Sequence, residues 1–256
     1  MLACGAIARE LLRIRDLNGW NHVRVQCLPA ALHNTPDVIP TAVEASLDRL
    51  EAAYDRVFVA YADCGTGGRL DRVLARRGIE RLPGAHCYAF LAGGAAFDGL
   101  AREEPGSFYL TDFLVRHFDR LVVQGLGLDR HPELLDRYFG NYRRVVYLAQ
   151  TEDEELQRQA RAQAGRLGLG YHYRYCGDRP LESSLRPVLE GCRVGKLSVT
   201  SWRVITAQVI GQQGPRRHRQ VRPARLAAGI DRAAMRAGRG SCSAYLEVWR
   251  REARPC

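Results

Sequence analysis

The sequence lacks the features by which membrane-spanning, secreted and nucleotide-binding proteins are most easily recognised. No window of the 256 residues approaches the roughly 18 consecutive apolar residues of a membrane helix. Met1 is followed by LACGA rather than by a basic and then apolar leader. There is no GK[ST] phosphate loop, no G-x-G-x-x-G fingerprint and no C-x-x-C pair. A soluble cytoplasmic protein with no membrane partner is therefore expected.

Lysine is also nearly absent, because 37 of the 38 basic residues are arginine and the exception is Lys196. The net charge of +10 comes from residues 191–256, which hold 14 basic and 3 acidic residues against 24 and 25 in residues 1–190. We therefore predict an α/β domain at 1–190 and a poorly structured basic tail at 191–256. The tail is rich in Arg, Ala, Gly and Pro, and GC-rich DNA that is read in the wrong frame encodes the same residues. The tail is thus non-native, a basic arm for anionic partners or a divergent ordinary terminus, and nucleic-acid binding is expected only if it is native.

Short apolar runs alternate with amphipathic stretches throughout residues 1–190. The run VFVAY at Val57–Tyr61 is typical of a parallel strand that is covered on both faces. Helices are predicted at Tyr88–Arg102, with a bend near Gly93, and at Phe113–Val123. Further strands are predicted at His22–Gln26, Ile79–Leu82, Ser107–Thr111, Arg144–Leu148 and Tyr171–Tyr175. The alternation predicts a mostly parallel, doubly wound (Rossmann-like) open sheet.

Four cysteines occupy equivalent places, because each lies at or shortly after the end of a predicted strand. They are Cys4, Cys27, Cys64 and Cys87, separated by 23, 37 and 23 residues. The carboxyl ends of parallel strands share one edge of the sheet, where ligands bind, so these thiols are expected to converge. Converging thiolates bind zinc or an iron–sulfur cluster. The alternative is that each cysteine packs as a small buried hydrophobic residue.

The segment YADCGTGG is the densest local motif. A glycine-rich turn between a strand and a helix exposes backbone N–H groups that can hold an anion. Gly65, Thr66, Gly67 and Gly68 are therefore candidate cofactor-binding residues. Asp63 and Cys64, which precede them, are candidate catalytic residues, with Cys64 as a nucleophile. An ordinary strand-to-helix turn would use the same glycines.

Four further residues could take part in chemistry near the strand ends. His33 and Asn34 follow Cys27 and are candidate cofactor-binding residues, and His86 adjoins Cys87. A histidine here could bind metal, move a proton or simply bond to a loop carbonyl. Asp112 closes another predicted strand and is either a catalytic base or the N-cap of the next helix.

The strings ACGAIARELL, QCLPAALHNTP, VFVAYADCGTGGRLD, LPGAHCYAF, FYLTDFLVRHFDRL and NYRRVVYLAQT resemble the domain of unknown function 1638 family. The resemblance extends from Met1 to about residue 190. It implies a cysteine-rich protein that accompanies corrinoid-dependent methyl-transfer systems. Family members carry further residues before the ACG motif, so an earlier start is expected.

Three hypotheses remain open at this point. The first is a protein that holds zinc or an iron–sulfur centre at the sheet's carboxyl edge, either as an enzyme of one-carbon transfer or as an accessory to a corrinoid-system partner. The second is a metal-free enzyme that binds a small anion in the DCGTGG loop and uses Cys64 as nucleophile. The third is nucleic-acid binding through the tail.

Overall fold

The computed structural model describes residues 1–190. The tail predicted at 191–256, with Cys192, Cys242 and Cys256, lies outside the described residues. Within the described range strands and helices alternate. The strands are β1 (Leu2–Cys4), β2 (Gln26–Leu28), β3 (Val59–Ala60), β4 (Ser107–Thr111), β5 (Arg144–Ala149) and β6 (Gly170–Tyr175). The α-helices are α1 (Ala8–Leu17), α2 (Ile39–Glu51), α3 (Arg69–Arg77), α4 (Cys87–Ala92), α5 (Gly94–Glu103), α6 (Asp112–Arg116), α7 (Leu135–Phe139), α8 (Glu154–Arg166) and α9 (Arg179–Glu190).

The first sheet has the parallel strand order β2-β1-β3. An isolated parallel bridge between Val59 and Arg81 extends it beyond β3. Because the chain leaves β1 for β2 on one side and later returns to β3 on the other, the order reverses at β1. Such a reversal opens a crevice between the carboxyl ends of β1 and β3, where doubly wound proteins bind ligands.

The second sheet has the parallel order β4-β5-β6. Its helices begin at side-chain caps: Thr111 accepts a hydrogen bond from the Leu114 amide at the start of α6, and Asp153 accepts one from the Leu156 amide at the start of α8. The strand β5 is buried along almost its whole length, as expected of a central parallel strand. The predicted mostly parallel α/β fold is confirmed, with its strands divided between two sheets.

Each sheet has its own hydrophobic core. The last described helix, α9, packs into the core of the first sheet through Leu181, Leu185 and Leu189. These leucines are four residues apart and therefore share one helix face. Helix α4 contacts both α9 and β5, so the residues at its start are held by packing on two sides. None of the helices between Met1 and Glu190 combines the length and apolar character that a membrane crossing requires.

Several elements differ from the predicted ones. The predicted helix Tyr88–Arg102 is split into α4 and α5 at Gly93, whose φ of 84° ends the first helix. The predicted helix Phe113–Val123 is α6 followed by a π-helix at Asp119–Gln124. The predicted strand Ile79–Leu82 is reduced to the bridge at Arg81.

Candidate metal centre

Three thiols and one imidazole lie around the crevice at the carboxyl edge of the first sheet. Cys4 is the last residue of β1, Cys64 lies in the turn after β3, and Cys87 is the first residue of α4. His33 lies in the 3-10 turn Ala30–Asn34 that follows β2. The predicted convergence at the strand ends therefore brings these side chains into one region, from four separate parts of the chain.

A cavity of about 290 Å³ opens at this edge. Its wall contains Cys64, Cys87 and His33, together with His86, Tyr88, Pro36 and Gly65. The wall thus presents sulfur and imidazole donors among apolar and aromatic groups. Such a cavity suits a soft metal ion or a small, largely uncharged molecule.

Cys4 and His33 are in direct contact. The Cys4 Sγ atom lies 3.8 Å from Nδ1 and 4.0 Å from Nε2 of the imidazole. Nδ1 also lies 3.0 Å from the Ala30 carbonyl oxygen, to which it donates its proton. This bond fixes the tautomer and leaves the Nε2 lone pair free to bind an electrophile.

The ring of Tyr61 packs against the imidazole of His33. The two rings are stacked, with centroids 6.1 Å apart and an interplanar angle of 8°. The sheet register aligns Ala3 with Ala60, so Cys4 and Tyr61 follow on the same face. The Tyr61 hydroxyl is buried, and it interacts with the Cys4 thiol. Sequence reasoning missed this residue, although strand alternation from Cys4 would have indicated it.

Cys64 occupies a strained position in the turn after β3. Its φ of 51° is positive, and it is the only such non-glycine residue in the described part of the chain. A left-handed backbone costs an L-residue roughly 1–2 kcal/mol, and strain of this kind is concentrated at functional sites. The Cys64 sulfur accepts a hydrogen bond from the Cys87 amide. The two cysteines are therefore adjacent across the crevice.

Burial keeps the metal-free thiols protonated at neutral pH. It raises the pKa of Cys64 to about 11, and it raises the pKa values of Cys4 and Cys87 well above the ordinary thiol value. The charges of Cys64 and Cys4 add to the shift of the Cys87 pKa, which reflects how close the sulfur atoms are. Burial also lowers the pKa of His33, and the charge of His86 lowers it further against the opposing bond to Ala30. The imidazole is therefore neutral and able to bind a metal ion.

The structure places Cys27 apart from this group. In the parallel register Cys27 is paired with Ala3, whereas Cys4 is paired with Leu28. Because successive strand side chains point to opposite faces, Cys27 faces the side of the sheet away from Cys4. Burial raises its pKa to about 11, and the charge of the Met1 ammonium opposes that shift. The predicted set of four cysteines is therefore divided into three and one.

In the DCGTGG loop, the Thr66 hydroxyl and the Gly67 and Gly68 amides donate to the loop's own Asp63 carboxylate, so they are not free to bind another anion. Asp63 Oδ1 accepts hydrogen bonds from the Thr66 hydroxyl at 2.6 Å and the Gly68 amide at 2.8 Å, and Oδ2 accepts one from the Gly67 amide at 3.0 Å. These bonds, with the Arg81 charge, outweigh the effect of burial and lower the pKa of Asp63. The anion site predicted at Thr66, Gly67 and Gly68 is thus filled from within the loop. Only Gly65 among the predicted cradle residues faces the cavity.

Two other candidate residues have structural partners elsewhere. Asp112 is the first residue of α6, directly after β4, and it accepts hydrogen bonds from the Tyr147 hydroxyl, the Gln150 amide and the Thr151 hydroxyl at 2.8, 2.9 and 2.5 Å. The predicted N-cap role of Asp112 is wrong, because Thr111 caps α6, and the bonds of Asp112 connect the start of α6 to β5 and the two residues that follow it. The side-chain amide of Asn34 donates to the Leu121 carbonyl oxygen and so does not face the cavity as a ligand group.

His86 lines the cavity beside Cys87. Partial burial lowers its pKa, and the nearby charge of Asp63 opposes that shift. Between Met1 and Glu190, however, no three His, Cys, Asp or Glu side chains already stand at coordinating distance from one common point. Any metal ion would therefore have to draw the side chains together.

The comparisons with known proteins agree with the motifs quoted above. The model of a family described as "Protein of unknown function (DUF1638)" matches residues 27–185. That range covers three of the residues around the crevice, namely His33, Cys64 and Cys87. No curated protein and no solved structure matches the chain.

Proposed function

The chain belongs to the DUF1638 family, and from that premise we propose that it is a zinc-binding protein whose ligands are Cys4, Cys64, Cys87 and His33. The observation that carries the proposal is that these donors lie around one crevice, where the strand order reverses. Three thiolates and one imidazole form a donor set that is common for zinc in proteins.

The spacing of Cys4 and His33 supports zinc. Ligands at about 2.3 Å for sulfur and about 2.1 Å for nitrogen, at the tetrahedral angle, lie about 3.6 Å from each other. The Cys4 sulfur lies 4.0 Å from Nε2 of His33, the ring nitrogen that the bond to Ala30 leaves free. This pair therefore needs only a small movement to share one ion.

The outer contacts of His33 support the same assignment. Histidines that bind metals usually donate their other ring N–H to a carbonyl or carboxylate group. The bond from Nδ1 to the Ala30 carbonyl provides this contact and presents Nε2 to the crevice. The stacked Tyr61 ring keeps the imidazole in one plane.

Rotation of each side chain about its Cα–Cβ bond would bring the sulfur atoms of Cys64 and Cys87 to the ion as the remaining two ligands. A cysteine side chain has one heavy-atom torsion, and a step between its staggered positions moves the sulfur by about 3 Å. A shift of this size is enough to bring side chains that already line one cavity toward a common ion. Binding would release the thiol protons that burial retains.

The donor set favours zinc over an iron–sulfur cluster. Clusters are generally held by four cysteine thiolates, and the fourth nearby cysteine, Cys27, lies on the opposite face of the sheet. Bound zinc would supply a Lewis acid that keeps a coordinated thiolate nucleophilic. The cavity beside the ligands would admit a small-molecule ligand. A corrinoid-system partner stays a prediction from the family resemblance.

The other hypotheses receive less support. A nucleophilic cysteine needs a lowered pKa, whereas burial raises the pKa of Cys64 to about 11, and the anion cradle beside it is filled by Asp63. Nucleic-acid binding concerns residues outside the described range.

We also propose a cytoplasmic location, because the five described cysteines are free and a reducing compartment keeps thiols free.

The proposal is tested by metal analysis of the full chain purified without oxygen. We expect about one zinc per chain and no visible absorption, because zinc has a filled d shell. Replacing the zinc with cobalt(II) is expected to produce thiolate charge-transfer bands. A preparation that carries iron and sulfide, or one that carries no metal and takes up neither zinc nor cobalt, would overturn the assignment.

A further inference from the structure

The loop that carries His33 is attached to the second sheet's helical layer by one side chain. Asn34 Nδ2 donates a hydrogen bond of 3.2 Å to the Leu121 carbonyl oxygen, across 87 residues of sequence. Leu121 lies in the π-helix Asp119–Gln124. The contact therefore joins the turn after β2 to an element far away in the chain.

The π-helix supplies an acceptor that an α-helix would have used internally. In an α-helix the amide of Gly125 would donate to the Leu121 carbonyl. Here the Gly125 amide donates to the Val122 carbonyl instead. The Leu121 carbonyl is thus left to accept a hydrogen bond from the side-chain amide of Asn34, and π-helical turns are frequent at functional sites.

Gly125 leaves room for the hydrogen bond between Asn34 and Leu121 because it has no side chain. A Cβ atom at that position would lie 2.3 Å from Asn34 Nδ2 and 2.2 Å from the Leu121 oxygen. No side chain fits at such distances, so only glycine lets the amide reach the carbonyl. Two independent features, the diverted amide and the missing Cβ, therefore serve the same hydrogen bond.

We infer that Asn34 is a positioning residue that sets the place of His33 in the zinc site, an inference that rests on the proposed function. The 3-10 turn Ala30–Asn34 is held at its start by the bond between His33 and the Ala30 carbonyl. Its end is held by Asn34 on the π-helix. With both ends held, the imidazole stays in contact with Cys4 before a metal ion arrives.

The experiment compares zinc affinity, by competition with a chromophoric chelator, in the wild type, Asn34→Ala, Asn34→Asp and the control Thr35→Ala. Thr35 is the exposed neighbour, and its side chain caps no helix. Loss of an outer-shell contact typically weakens metal binding by about 10–100-fold, and the lower end is expected for Asn34→Ala. Asn34→Asp should lose at least as much, because a carboxylate repels the Leu121 carbonyl. Wild-type affinity in both Asn34 variants would overturn the inference.

A second readout separates this inference from the zinc proposal. The imidazole NMR signals of His33 are recorded in the metal-free protein, where Asn34→Ala should shift or broaden them and Thr35→Ala should not. If the wild type binds no zinc, the proposed function fails, and the NMR comparison still decides whether Asn34 positions His33. Unchanged His33 signals in Asn34→Ala would contradict the positioning role even if zinc binds.

Discussion

The buried carboxyl group of Glu10 makes the stability of the fold depend on pH. Glu10 lies in α1 and is only 4% exposed, and its Oε2 atom has no hydrogen-bond partner. Burial raises its pKa from 4.5 to about 7, with Asp112 and Asp178 adding to the shift and Arg13 opposing it. Glu10→Gln replaces the acid with a neutral group of nearly the same shape.

The magnitude follows from the difference between the two pKa values. The folded state binds the proton more tightly than the unfolded state, so stability is complete below pH 4.5 and falls until the pH passes about 7. The rise of the Glu10 pKa from 4.5 to about 7 lowers the free energy of unfolding by about 3 kcal/mol at alkaline pH. Between pH 5 and pH 8 the wild type should lose about 2.5 kcal/mol relative to Glu10→Gln.

Urea unfolding of both proteins at pH 5 and pH 8 measures this difference. The exposed Glu80 provides the control, and Glu80→Gln should change stability little at either pH. A gap between the wild type and Glu10→Gln that does not grow with pH would refute the argument. So would a Glu10→Gln variant that is less stable than the wild type at pH 8.

Four further predictions concern two glycines, the Asp63 loop and metal removal. Gly165→Ala in α8 should stabilise by roughly 0.5–1 kcal/mol, because its Cβ would meet nothing within 4 Å. Gly67→Ala, at a φ of 62°, should destabilise by about 1 kcal/mol; equal urea midpoints for the two variants would contradict both. Asp63→Asn should cost about 1–3 kcal/mol, because a carboxylate that accepts three bonds is lost, and a wild-type melting temperature would count against the loop description. Removing zinc with a chelator should lower the melting temperature, and an unchanged transition would mean that no folded-state metal was present.

Much of the fold follows from patterns that are local in the sequence. Strands such as Ser107–Thr111 were predicted with their observed bounds, because buried parallel strands are continuous apolar runs. Helix α9 was not predicted, although Leu181, Leu185 and Leu189 have helical spacing, because Pro187 lies among them. The π-helix could not have been foreseen, since the Leu121 carbonyl within it accepts a hydrogen bond from Asn34, 87 residues earlier in the chain.

The sequence predicts the part of the site that lies directly at the ends of parallel strands. The region of Cys4, Cys64 and Cys87 follows from the rule that parallel strands end at one edge. Cys27 differs because β2 begins later than predicted, which puts Cys27 in the middle of a strand and on the other face. The predicted anion cradle did not take account of Asp63, because the sequence cannot show that this carboxylate bends back onto its own loop.

The most direct test of the central claim is the zinc content of two cysteine variants that differ in which face of the sheet they alter. Cys64→Ser should carry less than a tenth of the wild-type zinc, whereas Cys27→Ser, on the opposite face, should carry as much as the wild type. Full zinc occupancy in Cys64→Ser, or equal loss in both variants, would contradict the proposed metal centre.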